Sequence, residues 1–226
     1  MNVERNFSRK PEVVVVSEAE ERSVENLRRL LRPAAAVIMN GGVVAYPTET
    51  VYGLGVDVSR ESAVSSIFAL KGREERQPIL ILIPSTEDLY RYAEKVPETA
   101  LALVQAFWPG GLTLVCEAKE GVSKALTAGT GKIGVRFSGN PVATELCRAA
   151  GGAITSTSAN RSGSPPCTSA AQVLEAFPDG LDLVVDGGTC TAREGSTVVD
   201  VTETPCRVLR EGVISREALG RVVQIR

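Results

Sequence analysis

Apolar residues recur along this chain with two spacings, every second position and every third to fourth, and the two alternate from one end to the other. Residues 1–11 read as a loose arm. "VVVVSE" reads as a first strand, and Ser23 caps a helix running to about Arg32. Pro33 suits the first turn of a new short helix that stops at Gly41-Gly42. "VVAYPTETVYGLGVDV" is extended and interrupted at Pro47. "SAVSSIFAL", capped by Ser62, carries Val64, Ile67 and Phe68 at helical spacing and ends at Lys71-Gly72. "PILILIP" is apolar throughout, as in a strand buried on both faces. Ser85-x-x-Asp88 resembles a capping box opening the next helix, and Pro97 starts another through Phe107. "LTLVCEA" and "KIGVRF" read as strands, "PVATELCRAAGG" as a helix ended by glycine, and "GAITST" as a strand. Ser169-x-x-Gln172 caps a helix to Phe177; "LDLVVD", "STVVDV" and "RVLRE" are strands, and Ser215 caps a last helix. Helices and strands alternate, but several strands follow one another directly. The pattern predicts a single α/β domain, a twisted mixed sheet flanked by helices rather than a doubly wound parallel one.

Length and composition fit that reading. The 226 residues are 43% hydrophobic and 23% charged, enough for one large domain or two small ones with a core that needs no staples. A net charge of −2 gives no overall basic field toward nucleic acid or anionic lipid, which leaves local basic patches open. No stretch approaches the length of a membrane span, and the N-terminus lacks the apolar core of a signal peptide. The five cysteines form no C-x-x-C pair and read as reduced thiols in a cytoplasmic protein. The chain contains no histidine, so a zinc site would have to be built from thiolates and carboxylates, and no spacing supports one.

The absence of histidine frames the search for chemistry. "AGTGKI" fails as a phosphate loop, because Leu126 and Ile133 stand where the pattern needs Gly and Ser/Thr. In "YPTETVYGLG" an extended backbone puts Thr48 and Thr50 on one face, hydroxyls about 7 Å apart, with Tyr46 and Tyr52 beside them. A ligand-binding edge and a plain edge strand both remain open there. "LKGREER" sets Lys71 and Arg73, with Arg76 close behind, past a helix end. Cations are favoured at such an end for its own sake, and they also suit a polyphosphate. "STSAN" leaves a strand with Ser156, Ser158 and Asn160 on one face, groups that bind phosphate or ribose or build a turn.

Together these segments resemble the YrdC-like L-threonylcarbamoyladenylate synthases. The matching pieces are "YPTETVYGLG", the Lys71-x-Arg73 pair followed by Pro78 and an apolar strand, "WPGGLTLV", "VRF", "STSANRSGSPPCT", "GSTVVD" and "VLREG", in the family's order over roughly residues 24–215. The resemblance implies a single YrdC-like catalytic domain over 12–226 with a concave substrate cleft, in the single-domain form. It implies that L-threonine, bicarbonate and ATP, with Mg²⁺ carried by ATP, give threonylcarbamoyl-AMP and pyrophosphate. The product would feed the threonylcarbamoyl modification of the adenosine next to the anticodon in ANN-decoding tRNAs. By position, Lys71 and Arg73 would hold ATP phosphates and carry the catalysis. Gln77, Ser158, Asn160, Thr168 and Arg210 would bind the nucleotide, while Thr48, Thr50, Arg136 and Ser196 would hold threonine. Downstream tRNA threonylcarbamoyl-transfer proteins are the implied partners, with a weak RNA contact as a further one. The chain departs from the family at Glu74 and Ser138, where proline is usual, at Gln77 in place of Asn, and near Leu82, where longer members carry a His. Two alternatives share the resemblance: an RNA-binding module, and a carbamoyl-adenylating domain like those of hydrogenase-maturation proteins. An acidic chain argues against the first; the absence of acylphosphatase and zinc-finger modules argues against the second.

Overall fold

The computed structural model describes residues 10–21, 23–72, 77–192 and 194–226. Its strands are β1 (Glu12–Val15), β2 (Val44–Tyr46), β3 (Gly53–Gly55), β4 (Ile81–Leu82), β5 (Leu112–Glu117), β6 (Lys132–Arg136), β7 (Ile154–Thr155), β8 (Thr157–Ser158), β9 (Leu183–Asp186), β10 (Thr197–Asp200) and β11 (Arg207–Arg210). They form two mixed sheets, β1-β9-β2-β3-β8 and β11-β10-β5-β6-β4-β7. The α/β class and the mixed pairing agree with the sequence. The division into two sheets does not follow from the pattern, and its cause is local. "GAITST" is not one strand: β7 pairs with β4 in the second sheet, whereas β8 pairs with β3 in the first. The crossing point is stitched to both sides, since Ser156 N–H donates to Leu80 O and the Thr155 hydroxyl donates to Leu54 O.

Two hydrophobic clusters hold the layers together. One lies beneath the helices Val24–Met39 and Pro141–Ala149, where Leu27, Leu31, Ala34, Ala35 and Ile38 meet Val142, Ala143 and Leu146 over Val44, Tyr46, Leu183 and Val185 of the first sheet. The larger one joins the first sheet's other face (Ala45, Leu54, Val184) to Leu112, Leu114, Ile133, Val135 and Val199 of the second. The helix Glu61–Lys71 closes this cluster with Val64, Ile67 and Phe68, the three residues its sequence spacing singled out. Among the described residues, no helix is long and apolar enough to cross a membrane.

Several boundaries differ from the sequence reading. The two helices expected on either side of Pro33 are one helix, Val24–Met39, capped by the Ser23 hydroxyl, which accepts from Asn26 N–H. Pro33 is exposed and the apolar stripe runs past it, so packing outweighs a missing helical hydrogen bond of the solvent side. Ser62 is not the cap of its helix; Arg60 occupies that position without a side-chain cap. Ser85 opens a 3₁₀ turn, Thr86–Asp88, and its hydroxyl donates to Asp88 Oδ2 rather than forming a capping box with the backbone. Only Ile81–Leu82 of "PILILIP" enters a ladder. The caps at Ser169 and Ser215 are as expected.

The chain after β11 returns over the start of β10. The Thr197 hydroxyl donates to Ile214 O at 2.7 Å and accepts the N–H groups of Gly212 and Ile214. Gly212 lies so close that a Cβ there would sit 2.2 Å from Gly195 O and 2.8 Å from Ser196 O, both backbone atoms with no room to give. Gly212→Ala should therefore lower stability by about 1–3 kcal/mol, the usual cost of overpacking, read as a reduced urea midpoint at unchanged slope. An unchanged midpoint would show that this return loop is loose.

Candidate active site

The period of two that builds the second sheet also builds its cavity. Leu112, Leu114 and Cys116 of β5, Ile133 and Val135 of β6, and Val199 of β10 point into the large core. The intervening residues line a cavity of about 590 Å³: Thr113 and Val115; Lys132, Gly134 and Arg136; Ser196, Val198 and Asp200. The register sets Asp200 beside Val115 and Val115 beside Gly134. The rest of the lining comes from the β2–β3 loop with Thr48 and Thr50, from Ser156–Ser158, from Pro78–Leu80, and from Leu209 and Arg210 of β11.

Arg136, 3% exposed, ends β6 at the cavity. Its Nε–H donates to Gly110 O at 3.0 Å and its Nη1–H to the Thr50 hydroxyl at 3.1 Å. Nη2 is enclosed and lies 2.8 Å from Glu49 Oε1, but no N–H of Nη2 is aimed to make a hydrogen bond; the contact is a charge pair without an aligned acceptor. Burial acts to raise the Glu49 carboxyl pKa, but the Arg136 charge and hydrogen bonds from Ser138 and Gly139 outweigh it and hold the group below the usual carboxylate range.

Thr48 and Thr50 do not lie about 7 Å apart on a strand. Residues 47–52 form a bend, and the two hydroxyls are 2.9 Å from each other. The Thr48 hydroxyl accepts Thr50 N–H and Val51 N–H and donates to Val51 O, the turn chemistry that short hydroxyl side chains favour. Nor do the tyrosines share a face: Tyr46 enters the helix-covered cluster and donates to Thr155 O, while Tyr52 enters the other and donates to Gly188 O.

Just before β10, the Ser196 hydroxyl lies 2.8 Å from that of Thr113 on β5, and Arg210 donates to Ser196 O from Nε and Nη2 and to Ser196 Oγ from Nη2. Burial, then the neighbouring Arg136 charge, lowers the Arg210 pKa, as expected of two guanidiniums directed at one space. Lys71 is placed differently from a cavity cation. It is buried behind the wall, and its ammonium donates to Ser158 O at 2.5 Å, Asn160 O at 2.7 Å and Asn160 Oδ1 at 3.3 Å, fixing the segment that leaves β8. Asn160 Nδ2 donates to Arg161 O and Ser164 O. Thr168 is engaged with Gln172 Oε1 through its N–H and hydroxyl, at the start of the helix Ala170–Ala176. Gln77 is exposed. Arg73, Glu74 and Arg76 lie outside the described residues, as do residues 1–9 of the expected arm. The cavity thus brings together Thr48, Thr50, Arg136, Ser158, Ser196 and Arg210; Lys71, Gln77, Asn160 and Thr168 do not line it.

Sequence reading missed Glu49, Thr113, Lys132 and Asp200. The last three share the alternating face of residues already singled out, and that period was the available signal. Lys132 Nζ donates to Asp200 Oδ2 at 2.7 Å, and Asp200 Oδ1 accepts from Thr202 N–H and Oγ. Burial alone would raise the Asp200 pKa; the Lys132 hydrogen bond and those from Thr202 more than reverse it. Among the described residues, no three His, Cys, Asp or Glu side chains cluster as a metal site.

An α/β domain whose cavity is lined by hydroxyls and guanidiniums is the class that fold and site define. The Sua5/YciO/YrdC family model, described as "Telomere recombination", matches residues 36–212, and the chain belongs to that family. A threonylcarbamoyl-AMP synthase of Pyrococcus abyssi is 41% identical over 193 residues, 85% of this chain and 57% of that protein. One from Halorhodospira halophila is 42% identical over 157 residues, 70% of this chain and 82% of that protein. The crystal structure of Pyrococcus abyssi Sua5 complexed with L-threonine has a TM-score of 0.88 at 38% identity, covering 95% of this chain and 62% of that one. The chain therefore spans only about three fifths of its Pyrococcus relatives.

The Lys132–Asp200 pair has a pH signature. The folded-state pKa of Asp200 lies below an unfolded value of about 4. The pair's contribution is then complete above about pH 4 and is lost as pH falls through the folded-state value. Asp200→Asn should be less stable than the parent at pH 7, with the gap narrowing below about pH 4 in urea titrations. A gap independent of pH would assign the loss to packing.

Proposed function

We propose that this chain is an L-threonylcarbamoyladenylate synthase, making threonylcarbamoyl-AMP and pyrophosphate from L-threonine, bicarbonate and ATP. The observation that carries the reading is the buried Arg136 guanidinium. It lines the cavity beside the Thr50 hydroxyl, and its enclosed Nη2, paired by charge with Glu49, has no aligned protein acceptor for its donors. A buried donor of this kind calls for an acceptor from a ligand, and a carboxylate is the best match to a guanidinium. The related Pyrococcus protein was crystallised with L-threonine, which supports the same ligand here.

In this reading Thr48, Thr50, Arg136 and Ser196 hold threonine. Ser158, Asn160 and Arg210 hold the nucleotide, together with Gln77 and Thr168 by family position. Lys71 and Arg73 belong to the triphosphate end by the same resemblance, and Lys71 also fixes Ser158 and Asn160 through their backbone carbonyls. Magnesium enters as part of the MgATP substrate. The threonine amine combines with bicarbonate, losing water, to give a carbamate. A carbamate oxygen then bonds to the α-phosphorus as the bond to pyrophosphate breaks. The protein positions the anions and offsets their charge. Five free, buried cysteines suit a reducing cytoplasm, and the labile product would pass to a tRNA threonylcarbamoyl-transfer protein.

The test is pyrophosphate release and threonylcarbamoyl-AMP formation with each substrate omitted in turn. Product formed without threonine or without bicarbonate would overturn the reading. Thr50→Val keeps shape but removes the acceptor of Arg136 Nη1. It should raise the threonine KM roughly tenfold or more, the scale of a hydrogen bond to a charged group, with the ATP KM little changed. An equal rise for ATP, or none for threonine, would move threonine away from this loop.

A further inference from the structure

Glu49 is not part of the cavity lining, yet it touches the groups that shape one end of it. It sits between Thr48 and Thr50 on the β2–β3 bend. Its carboxylate reaches the opposite loop, which follows β6: Oε2 accepts from the Ser138 hydroxyl, Oε1 accepts Gly139 N–H at 3.1 Å, and Oε1 lies 2.8 Å from Arg136 Nη2. The Ser138 side is itself anchored, since Ser138 Oγ accepts Asn140 N–H and Ser138 O accepts the Thr144 hydroxyl. One carboxylate thus joins the loop carrying both threonines to the strand end carrying the arginine.

The geometry of that contact matters. A carboxylate aligned with Nη2 would take up its donors and compete with any incoming acceptor. Glu49 instead sits close enough to hold the guanidinium by charge while no hydrogen bond forms from Nη2. The other two nitrogens are fixed by Gly110 O and the Thr50 hydroxyl. The guanidinium is thereby locked in place at the cavity wall, with Nη2 enclosed and lacking an aligned acceptor.

We infer that Glu49 is a positioning residue for the amino-acid substrate: braced by Ser138 and Gly139, it holds the Arg136 guanidinium at the cavity wall in the orientation that meets the substrate carboxylate. The inference rests on the proposed threonine site. Glu49→Gln keeps the side chain's length and one acceptor oxygen, for Gly139 N–H, with its NH2 facing a Ser138 hydroxyl that can turn to accept, but removes the charge that holds the guanidinium. The threonine KM should then rise roughly tenfold, with kcat at saturating threonine falling less than twofold and the ATP KM unchanged.

L-Threoninamide, which keeps the amine and side chain but lacks the carboxylate, supplies the readout that a merely structural defect would not move. The parent should prefer threonine over the amide by KM, and Glu49→Gln should erase most of that preference by weakening threonine alone. Equal losses for both compounds, an unchanged threonine KM, or a lowered one would overturn the inference; a lowered KM would mean that Glu49 competes with the substrate. If Glu49→Gln does not fold, Ser138→Ala carries the test. It removes one brace, and a threonine KM raised about threefold supports the proposal while no change defeats it. Arg136→Lys separates this from the site reading. If that variant leaves the threonine KM unaltered, the threonine site itself is misplaced. If it raises the KM while the Glu49 and Ser138 variants do not, only the positioning role fails.

Discussion

Burying the Arg136 guanidinium at the end of a central strand is the constraint around which the cavity is arranged. An isolated buried charge costs several kcal/mol, so the surrounding chain has to supply acceptors and a counter-charge. They come from two places distant in sequence: Gly110 O ahead of β5, and the β2–β3 bend, which supplies both the Thr50 hydroxyl and Glu49 beside it. The bend is in turn closed by the Thr48 hydroxyl, which takes two backbone N–H groups that a strand would have paired. That departure from extended geometry is what brings the two threonine hydroxyls together. The bend and the buried charge therefore stabilise each other.

The second sheet shows how one ladder supports both stability and a site. Because successive side chains point to opposite faces, each strand through the cavity floor contributes alternately to core and cavity. Leu114 and Val135 are fully buried in the core, while Val115 and Gly134, one residue along, form the floor. Gly134 fits for want of a side chain, since a Cβ would lie 3.0 Å from Leu80 Cβ. Substitutions in these strands therefore separate by parity: one set disturbs packing, the other the lining.

Much of this was legible in the sequence where a residue's role is set by its neighbours along the chain. The caps at Ser23, Ser169 and Ser215, the αL glycine after Lys71, and most strands follow from local chemistry. What was lost depended on distant partners. Pro33 reads as a helix start because local propensity says so; only the stripe from Leu27 to Ile38 packing on Pro141–Ala149 carries the helix through it. "GAITST" reads as one strand because nothing within it reveals that β4 and β3 claim its two halves. The resemblance brought Thr50, Arg136, Ser196 and Arg210 to one cavity. It could not show that Lys71 is buried against backbone carbonyls, nor that a glutamate between two noted threonines faces the arginine.

The ionisation states around the cavity bear on where a nucleophile comes from. A general base works best when its pKa lies near the working pH. Burial pushes the Cys116 and Cys147 thiols up to about 12 and raises those of Cys167 and Cys190 as well. Burial also raises the Tyr46 and Tyr52 phenols. Glu49 and Asp200 move the other way, held ionised by Arg136 and Lys132, which makes them weak bases and good counter-charges. These shifts all lead away from neutrality, in a chain without histidine. Among the described residues Arg210 has no carboxylate partner, so the lining cations Lys132, Arg136 and Arg210 outnumber the lining carboxylate Asp200 even with Glu49 counted beside it. Such a surface gathers anions and holds them in register, while offering little to take up a proton. In the proposed reaction the reactive electron pair arrives with the substrate, when the amino acid's own amine is converted to a carbamate.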